Sequence, residues 1–284
     1  MPRLRRTWLF VPGADAAAHE AAARSGADVL IQELEDFTPP ERRPEARARA
    51  AGLYDRWRKA GKIAAVRINP LEGDGVADLR AVLAGRPDIV MMSKVATPGQ
   101  VSALALAVKE AELVPNIESA AGLLRAFDIA KASSRVTAML VASEDMVADL
   151  GTSRSRGGEE LAYVRQRFLV ECRAAGVEAI DCPYTFSDVA GAVRDAKYAK
   201  RLGYRMKSLV AAGHAAAINR VFSASAADLR KAESLVLAFE KARRSGNERA
   251  RVDGKLVEVP LYAAAKRLLA SVAHTQPPRR KTPC

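Results

Sequence analysis

The sequence predicts an α/β fold, a (β/α)8 TIM barrel with a C-terminal helical extension, on three observations. Short apolar runs alternate about eight times with longer stretches of helical spacing. The runs are apolar on both faces, as strands are when helices cover both sides of a parallel sheet. The chain has 284 residues, enough for the roughly 250 of a typical barrel.

Taken in order, the strands are expected at residues 7–11, 29–34, 63–68, 89–93, 113–117, 137–141, 178–181 and 205–210. Helical spacing covers 19–24, 43–59, 76–83, 99–110, 120–131, 159–174, 190–202 and 215–221. Gly26, Gly61, Gly85, Gly176 and Gly203 stand just ahead of strands, where a left-handed helix cap is wanted. Gly73-Asp74-Gly75 lacks the spacing of any phosphate loop and reads as a turn, and Gly157-Gly158 reads as a loop before a helix. A doubly wound open sheet shares this local alternation and is the structural rival. Residues 1–224 are assigned to the barrel and 225–284 to the extension. The extension reads as a helix over 226–243, a Ser245-Gly246-Asn247 turn, a hairpin signal at Val252-Asp253-Gly254-Lys255 and a helix over 261–272. Its last ~10 residues are expected to be disordered. Such an appendage can cap a neighbour, so an oligomer is expected.

The net charge of +12 invites a nucleic-acid reading. Ten of these charges fall in three short segments: +3 over 1–6, +4 over 241–251 and +3 over 275–284. These segments lack interleaved aromatics and known modules, which argues against nucleic acid as a partner. Cys172, Cys182 and Cys284 form no CxxC pair, which suits a reducing cytoplasm and argues against a thiolate zinc site. No apolar run approaches the roughly 18 residues of a membrane span, and the stretch 8–12 is too short for a signal-peptide core.

Polar residues gather at the C-terminal ends of the expected strands: Glu33, Glu35 and Asp36 after the second, Arg67 and Asn69 after the third, Lys94 after the fourth, Glu118 after the fifth. Glu144 and Asp145 follow the sixth, Asp181 ends the seventh and Lys207 lies on the eighth. A barrel carries its chemistry at that mouth, so the set is expected to point there together. Glu118 and Asp145 are the metal-ligand candidates, because two carboxylates with open positions suit Mg²⁺; acid–base work without metal is the alternative. His19, His214 and His274 are not at strand ends, which makes a histidine zinc site improbable. Arg67 either clamps a substrate carboxylate or pairs structurally with Glu33, Glu35 or Asp36.

On these residues the sequence resembles the HpcH/HpaI aldolase and citrate lyase family, in its citrate lyase beta-subunit-like branch. The likeness is carried in uninterrupted order by Arg6-Thr-Trp-Leu-Phe-Val-Pro-Gly13, Gln32-Glu-Leu-Glu-Asp36, Val66-Arg-Ile-Asn-Pro70, Met92-Ser-Lys-Val95, Asn116-Ile-Glu-Ser119, Ala142-Ser-Glu-Asp-Met146 and Ala179-Ile-Asp-Cys-Pro-Tyr184. Ile218-Asn-Arg-Val-Phe-Ser223 and Val252-Asp-Gly-Lys-Leu-Val-Glu258 continue it. The resemblance implies a barrel, usually a trimer, that uses Mg²⁺ to cleave or form a carbon–carbon bond between an acyl thioester and a 2-oxo acid. By position it implies Glu118 and Asp145 as metal ligands, Arg67, Glu118 and Lys94 as substrate contacts, and Glu35 and Asp36 as the acidic pair of the catalytic site. Glu258 aligns with an acid supplied by a neighbouring subunit's extension and is the candidate for proton transfer.

Three departures stand out. The family usually has Asp where Glu33 and Glu258 stand, so each carboxylate is one methylene longer here. Its Ile-His-Pro segment, which helps shape the thioester carrier's site, is replaced in Met206-Lys207-Ser208-Leu209-Val210-Ala211-Ala212. The sequence therefore supports four readings in descending order: a Mg²⁺-dependent lyase acting on a citryl-, malyl- or citramalyl-type thioester; a coenzyme A-independent aldolase of the same family; a barrel pseudoenzyme or binding protein; and a nucleic-acid binder. His214, three residues past the lost histidine, reads as a helix-start residue.

Overall fold

The computed structural model describes residues 5–246, 250–252 and 254–273. His274 and the expected disordered tail lie outside the described residues. Eight strands, β1 (Thr7–Pro12), β2 (Val29–Glu33), β3 (Ile63–Ile68), β4 (Ile89–Met92), β5 (Glu112–Ile117), β6 (Ala138–Val141), β7 (Glu178–Asp181) and β8 (Met206–Leu209), form a closed parallel barrel in chain order. Closure is made by β1, which pairs with β2 through Trp8↔Val29 and with β8 through Leu9↔Leu209. That pairing decides against the open sheet.

Alternation along each strand sorts its residues into two cores. Trp8, Phe10, Val29, Ile31, Ile63, Ala65, Val114, Leu140, Ile180 and Met206 fill the barrel interior. The intervening Leu9, Leu30, Val66, Leu113, Ala179 and Leu209 pack outward against the helices. Each strand therefore has an inward and an outward phase, and the phase persists to its C-terminal end. Glu33, Arg67, Asn116 and Glu118 continue the inward phase. Asp181 and Lys207 continue the outward one.

The covering helices are α1 (Ala16–Arg24), α2 (Arg43–Lys59), α3 (Gly75–Val82), α4 (Pro98–Ala107), α5 (Ala120–Leu124), α6 (Ala126–Lys131), α7 (Glu144–Asp149), α8 (Ala162–Ala175), α9 (Val189–Leu202) and α10 (Ala215–Phe222). Local chemistry sets several starts: Asp15 caps α1, Thr97 and Gln100 form a capping box on α4, and Asp188 caps α9. The helix expected over 120–131 is broken at Arg125 into α5 and α6, and α7 lies outside every stretch of expected helical spacing. Gly61, Gly176 and Gly203 take the left-handed conformation, but Gly26 and Gly85 do not. At the latter, Arg86 adopts φ 48° instead, and Gly85 is required by crowding, since a Cβ there would meet Tyr54 Cδ2 at 2.8 Å and Ala51 Cα at 2.9 Å.

Two compact units are present, one of Arg5–Phe222 and one beginning at Ser223. In the second, α11 (Ala226–Arg244) starts on a Ser225/Asp228 capping box, β9 (Ala250–Val252) and β10 (Lys255–Val257) form an antiparallel pair, and α12 (Val259–Ala273) follows. Leu235, Phe239, Val257 and Ala265 make its core, with Phe239 stacked on Tyr262 at 4.5 Å between ring centroids. Among the described residues no helix is long and apolar enough to cross a membrane. Cys172 and Cys182 are buried free thiols, and burial pushes the Cys182 thiol up to about 11.

Candidate active site at the C-terminal mouth of the barrel

The mouth is organised by Glu33, which ends β2 in register with Arg67 on β3. One oxygen of the Glu33 carboxylate accepts Arg67 Nε–H at 2.8 Å and the Glu35 backbone N–H at 2.7 Å; the other accepts the Phe37 N–H at 2.6 Å. This buried group thus folds the turn after β2 and orients the guanidinium at once. Arg67 Nη2 lies 3.1 Å from Glu35 Oε2, Nη1 lies 3.6 Å from Glu118 Oε1, and the guanidinium carbon sits 4.8 Å from the Phe10 ring centroid. Burial alone would lower the Arg67 pKa, but Glu33, Glu118 and Glu35 outweigh it and raise it, so the cation is permanent.

The other Glu35 oxygen accepts a short bond from Lys94 Nζ, which also lies 3.6 Å from Asp36 Oδ1. That bond to Glu35 raises the Lys94 pKa against desolvation. Lys94 has φ 55°, an uncommon backbone conformation for a residue with a side chain. It sends its side chain to the β2 acids while its amide approaches Glu118. For Glu35, burial pushes the carboxyl up more than Arg67 and Lys94 pull it down.

Glu118 is the outlier. It is buried, and neither oxygen has a hydrogen-bond partner of good geometry. Burial pushes its carboxyl up to about 8; Arg67 opposes this, while Asp145 and Glu35 add repulsion. Asp145, half-buried in the first turn of α7, stands close enough to act on that charge. Asn116, two residues before Glu118 on the same face of β5, is fully buried with both polar atoms unpartnered, and the Ser143 hydroxyl is unpartnered too.

This corner holds five carboxylates, Glu33, Glu35, Asp36, Glu118 and Asp145, against two cations, Arg67 and Lys94. An excess of negative charge with free lone pairs on a buried carboxylate could accept a hard divalent cation. Among the described residues no group of three or more His, Cys, Asp or Glu forms a complete metal cage. Glu118 and Asp145 alone would leave coordination positions to water and to a ligand.

The expectation that all strand-end polar residues face the mouth fails for Asp181, Lys207 and Asn69. Arg165 on α8 donates to both Asp181 oxygens, from Nε at 2.8 Å and Nη2 at 2.7 Å, and to Asp195 on α9 at 2.7 Å. Lys207 Nζ reaches Asp181 at 2.6 Å and Asp195 at 2.5 Å. These residues form a buried ion network in the layer between barrel and helices, because their strand phase is outward. Asn69 donates to Leu34 O at 2.8 Å and to Asp78 at 2.9 Å and is likewise structural. Glu144 is exposed and accepts from Thr185 Oγ1 at 2.7 Å. His214 ends a 3-10 turn directly before α10, with Nε2 3.1 Å from Ser187 O. Glu258 belongs to the second unit, is exposed, and starts α12 by accepting the Leu261 and Tyr262 N–H groups on its backbone carbonyl.

Glu33, Glu35, Asp36, Arg67, Lys94, Glu118 and Asp145, all expected at the mouth from their places after the strands, are brought together there. Asn116 joins them unannounced by any charge; its inward phase follows from the alternation of β5.

The model of the HpcH/HpaI aldolase/citrate lyase family matches residues 6–212. The citrate lyase subunit beta of Escherichia coli (strain K12) is 32% identical over 283 residues, covering 94% of this chain and 93% of that protein. A (3S)-malyl-CoA thioesterase of Cereibacter sphaeroides (strain ATCC 17025) is 31% identical over 268 residues, covering 93% of each. The crystal structure of protein CitE from Mycobacterium tuberculosis in complex with magnesium, acetoacetate and coenzyme A superposes with a TM-score of 0.78 at 26% identity, covering 95% of this chain and 100% of that one.

Proposed function

The chain belongs to the HpcH/HpaI aldolase/citrate lyase family, and from that premise we propose that it is a Mg²⁺-dependent carbon–carbon lyase. It would cleave or form a citryl-, malyl- or citramalyl-type acyl thioester, with a 2-oxo acid and an acyl-CoA on the other side of the reaction. The observation that carries this reading is Glu118: a buried carboxylate with both oxygens free, beside Asp145 and facing Arg67. The magnesium-bound neighbour supports Mg²⁺ as the cation, and Glu118 and Asp145 are the residues assigned to hold it. When bound, that ion would supply positive charge to the 2-oxygen of the acid, which carries alkoxide charge before the carbon–carbon bond breaks and regains it when the bond forms.

The chain's own groups do the rest. Arg67 donates Nε–H to Glu33, its Nη2 is ion-paired with Glu35 at 3.1 Å, and its Nη1, at 3.6 Å from Glu118, is beyond hydrogen-bond range. Nη1 and Nη2 are the donors available to a substrate carboxylate. Glu35 and Asp36 anchor the ammonium of Lys94, which adds a second positive charge at the rim for the acid. Glu258 is assigned proton transfer to and from the enolate side of the thioester, acting in a neighbouring copy of a homotrimer; the family resemblance supports this role.

A second reading, thioester hydrolysis, is favoured by the likeness to the malyl-CoA thioesterase. Product analysis with Mg²⁺ and (3S)-malyl-CoA or citramalyl-CoA separates the two. The lyase releases glyoxylate or pyruvate, read as a hydrazone, with the coenzyme A thiol still esterified. Hydrolysis instead releases a free thiol and a hydroxy acid. Turnover of a free hydroxy-oxo acid without any thioester would instead establish the coenzyme A-independent aldolase, which the Ala211-Ala212 replacement favours. Absence of oxo acid from every thioester overturns the lyase.

A further inference from the structure

Phe37, in the turn after β2, leans over the mouth. Its ring centroid lies 6.2 Å from that of Phe10, edge to face, and 6.0 Å from the guanidinium carbon of Arg67. Phe10 and Arg67 both hold the inward phase of their strands, so the ring is turned over the barrel and not toward α2. Phe10 is buried, whereas Phe37 is 41% exposed. The turn that carries it is fixed. Phe37 N–H donates to one oxygen of Glu33 at 2.6 Å and Arg67 Nε–H to the other at 2.8 Å, so a single carboxylate sets both ring and guanidinium. The buried Thr38 hydroxyl donates to Glu33 O at 2.5 Å and accepts Gly13 N–H at 2.9 Å, and Pro39 and Pro40 stiffen the chain beyond it. A lone exposed ring on an open surface needs no explanation. One pinned beside the arginine of the site presents its free face to whatever Arg67 binds.

The charges around the ring decide what that can be. Among the described residues, the acids of this corner are ion-paired with Arg67 and Lys94 and with no other cation. Lys94 is outweighed by the Glu35 and Asp36 carboxylates it serves, and Arg67 is committed to the carboxylate of the 2-oxo acid. A second carboxylate on the same acid would lie against an apolar ring and the Asp36 anion, desolvated by one and repelled by the other. A methyl or ethyl group there buries apolar surface instead. We propose that Phe37 is a specificity-determining residue: its ring is the wall on which the substituent of the acid rests, and it selects 2-oxo acids with a hydrogen or short alkyl group over dicarboxylic ones. The proposal rests on the reading of the mouth as an oxo-acid site and narrows it to malyl- and citramalyl-type thioesters, away from the citryl type.

Calorimetry on the full chain in saturating Mg²⁺ measures the affinities of pyruvate, 2-oxobutyrate and freshly dissolved oxaloacetate for the parent, Phe37→Ala and Phe37→Arg, with the melting temperature of each as the check on folding. The parent is expected to bind pyruvate about tenfold more tightly than oxaloacetate, and 2-oxobutyrate no more weakly than pyruvate. Phe37→Ala should reduce the preference for pyruvate to about twofold or less, and Phe37→Arg should reverse it by supplying the cation that a second carboxylate lacks. A parent that binds oxaloacetate as tightly as pyruvate overturns the proposal, and that comparison needs no variant. A preference retained in folded Phe37→Ala overturns it too, even where both acids weaken together, because the ring then only shields Arg67. A parent that binds none of the three acids overturns the oxo-acid reading of the mouth itself.

Discussion

The surroundings of Glu118 discourage its ionisation, and this has a definite sign in pH. Its carboxyl is pushed from an ordinary 4.5 up to about 8 in the folded chain, first by burial. Below about pH 4.5 it is protonated in both folded and unfolded states. Between 4.5 and 8 the unfolded chain ionises while the folded one holds its proton, so the stability contributed by this group is lost as pH rises through 8. Metal-free protein is therefore expected to lose stability over that interval, and Glu118→Gln to flatten that part of the urea-midpoint profile. Mg²⁺ competes with the same proton. Its affinity is expected to rise from pH 6 and level off above about 8, with proton release measurable by calorimetry in buffers of different ionisation enthalpy. In Glu118→Gln both the Mg²⁺ response and the proton release should vanish; their persistence would remove Glu118 from the metal site.

At the scale of the element, α8, α9, β7 and β8 are tied by Arg165, Asp195, Asp181 and Lys207. Lys207→Met leaves two buried carboxylates sharing Arg165 and should cost about 3–5 kcal/mol of unfolding free energy, read as a fall in urea midpoint at constant slope. Lys94→Ala removes a half-exposed ammonium and should change stability by less than about 1 kcal/mol. Position along the strands was legible in the sequence: apolar runs and their C-terminal polar residues located the mouth and seven of its side chains. Phase is also present in the letters. Ile180 and Met206 face inward, so Asp181 and Lys207, one residue later, face the helices. The same parity places Asn116 inside, because Val114 is inside. Short elements were less legible. The six residues of α7 carry no helical period of their own, and its start follows the β6 end with Glu144 and Asp145 at the positive end of the helix. The break at Arg125 likewise interrupts a stretch whose apolar spacing continues through it.

For the whole molecule, the charge of +12 belongs chiefly to segments other than the mouth, where acids outnumber bases. On the proposed function, the basic stretch 241–251 would attract an anionic thioester from solution. The acyl-CoA kcat/KM is expected to fall several-fold as ionic strength rises from about 0.02 to 0.2 M while kcat stays level, because screening acts on encounter. A salt-independent kcat/KM would assign that stretch no part in capture. The strut between barrel and helices has a different electrical character. Arg165 and Lys207 carry as many positive charges as Asp181 and Asp195 carry negative, and they meet within 2.5–2.8 Å. Such a closed quartet has almost no field beyond its own neighbourhood. A proton, a metal or a new side chain gained at the mouth is therefore expected to change the energy of this strut little. A new substrate preference built at the mouth would then leave the tie between strands and helices nearly as it is.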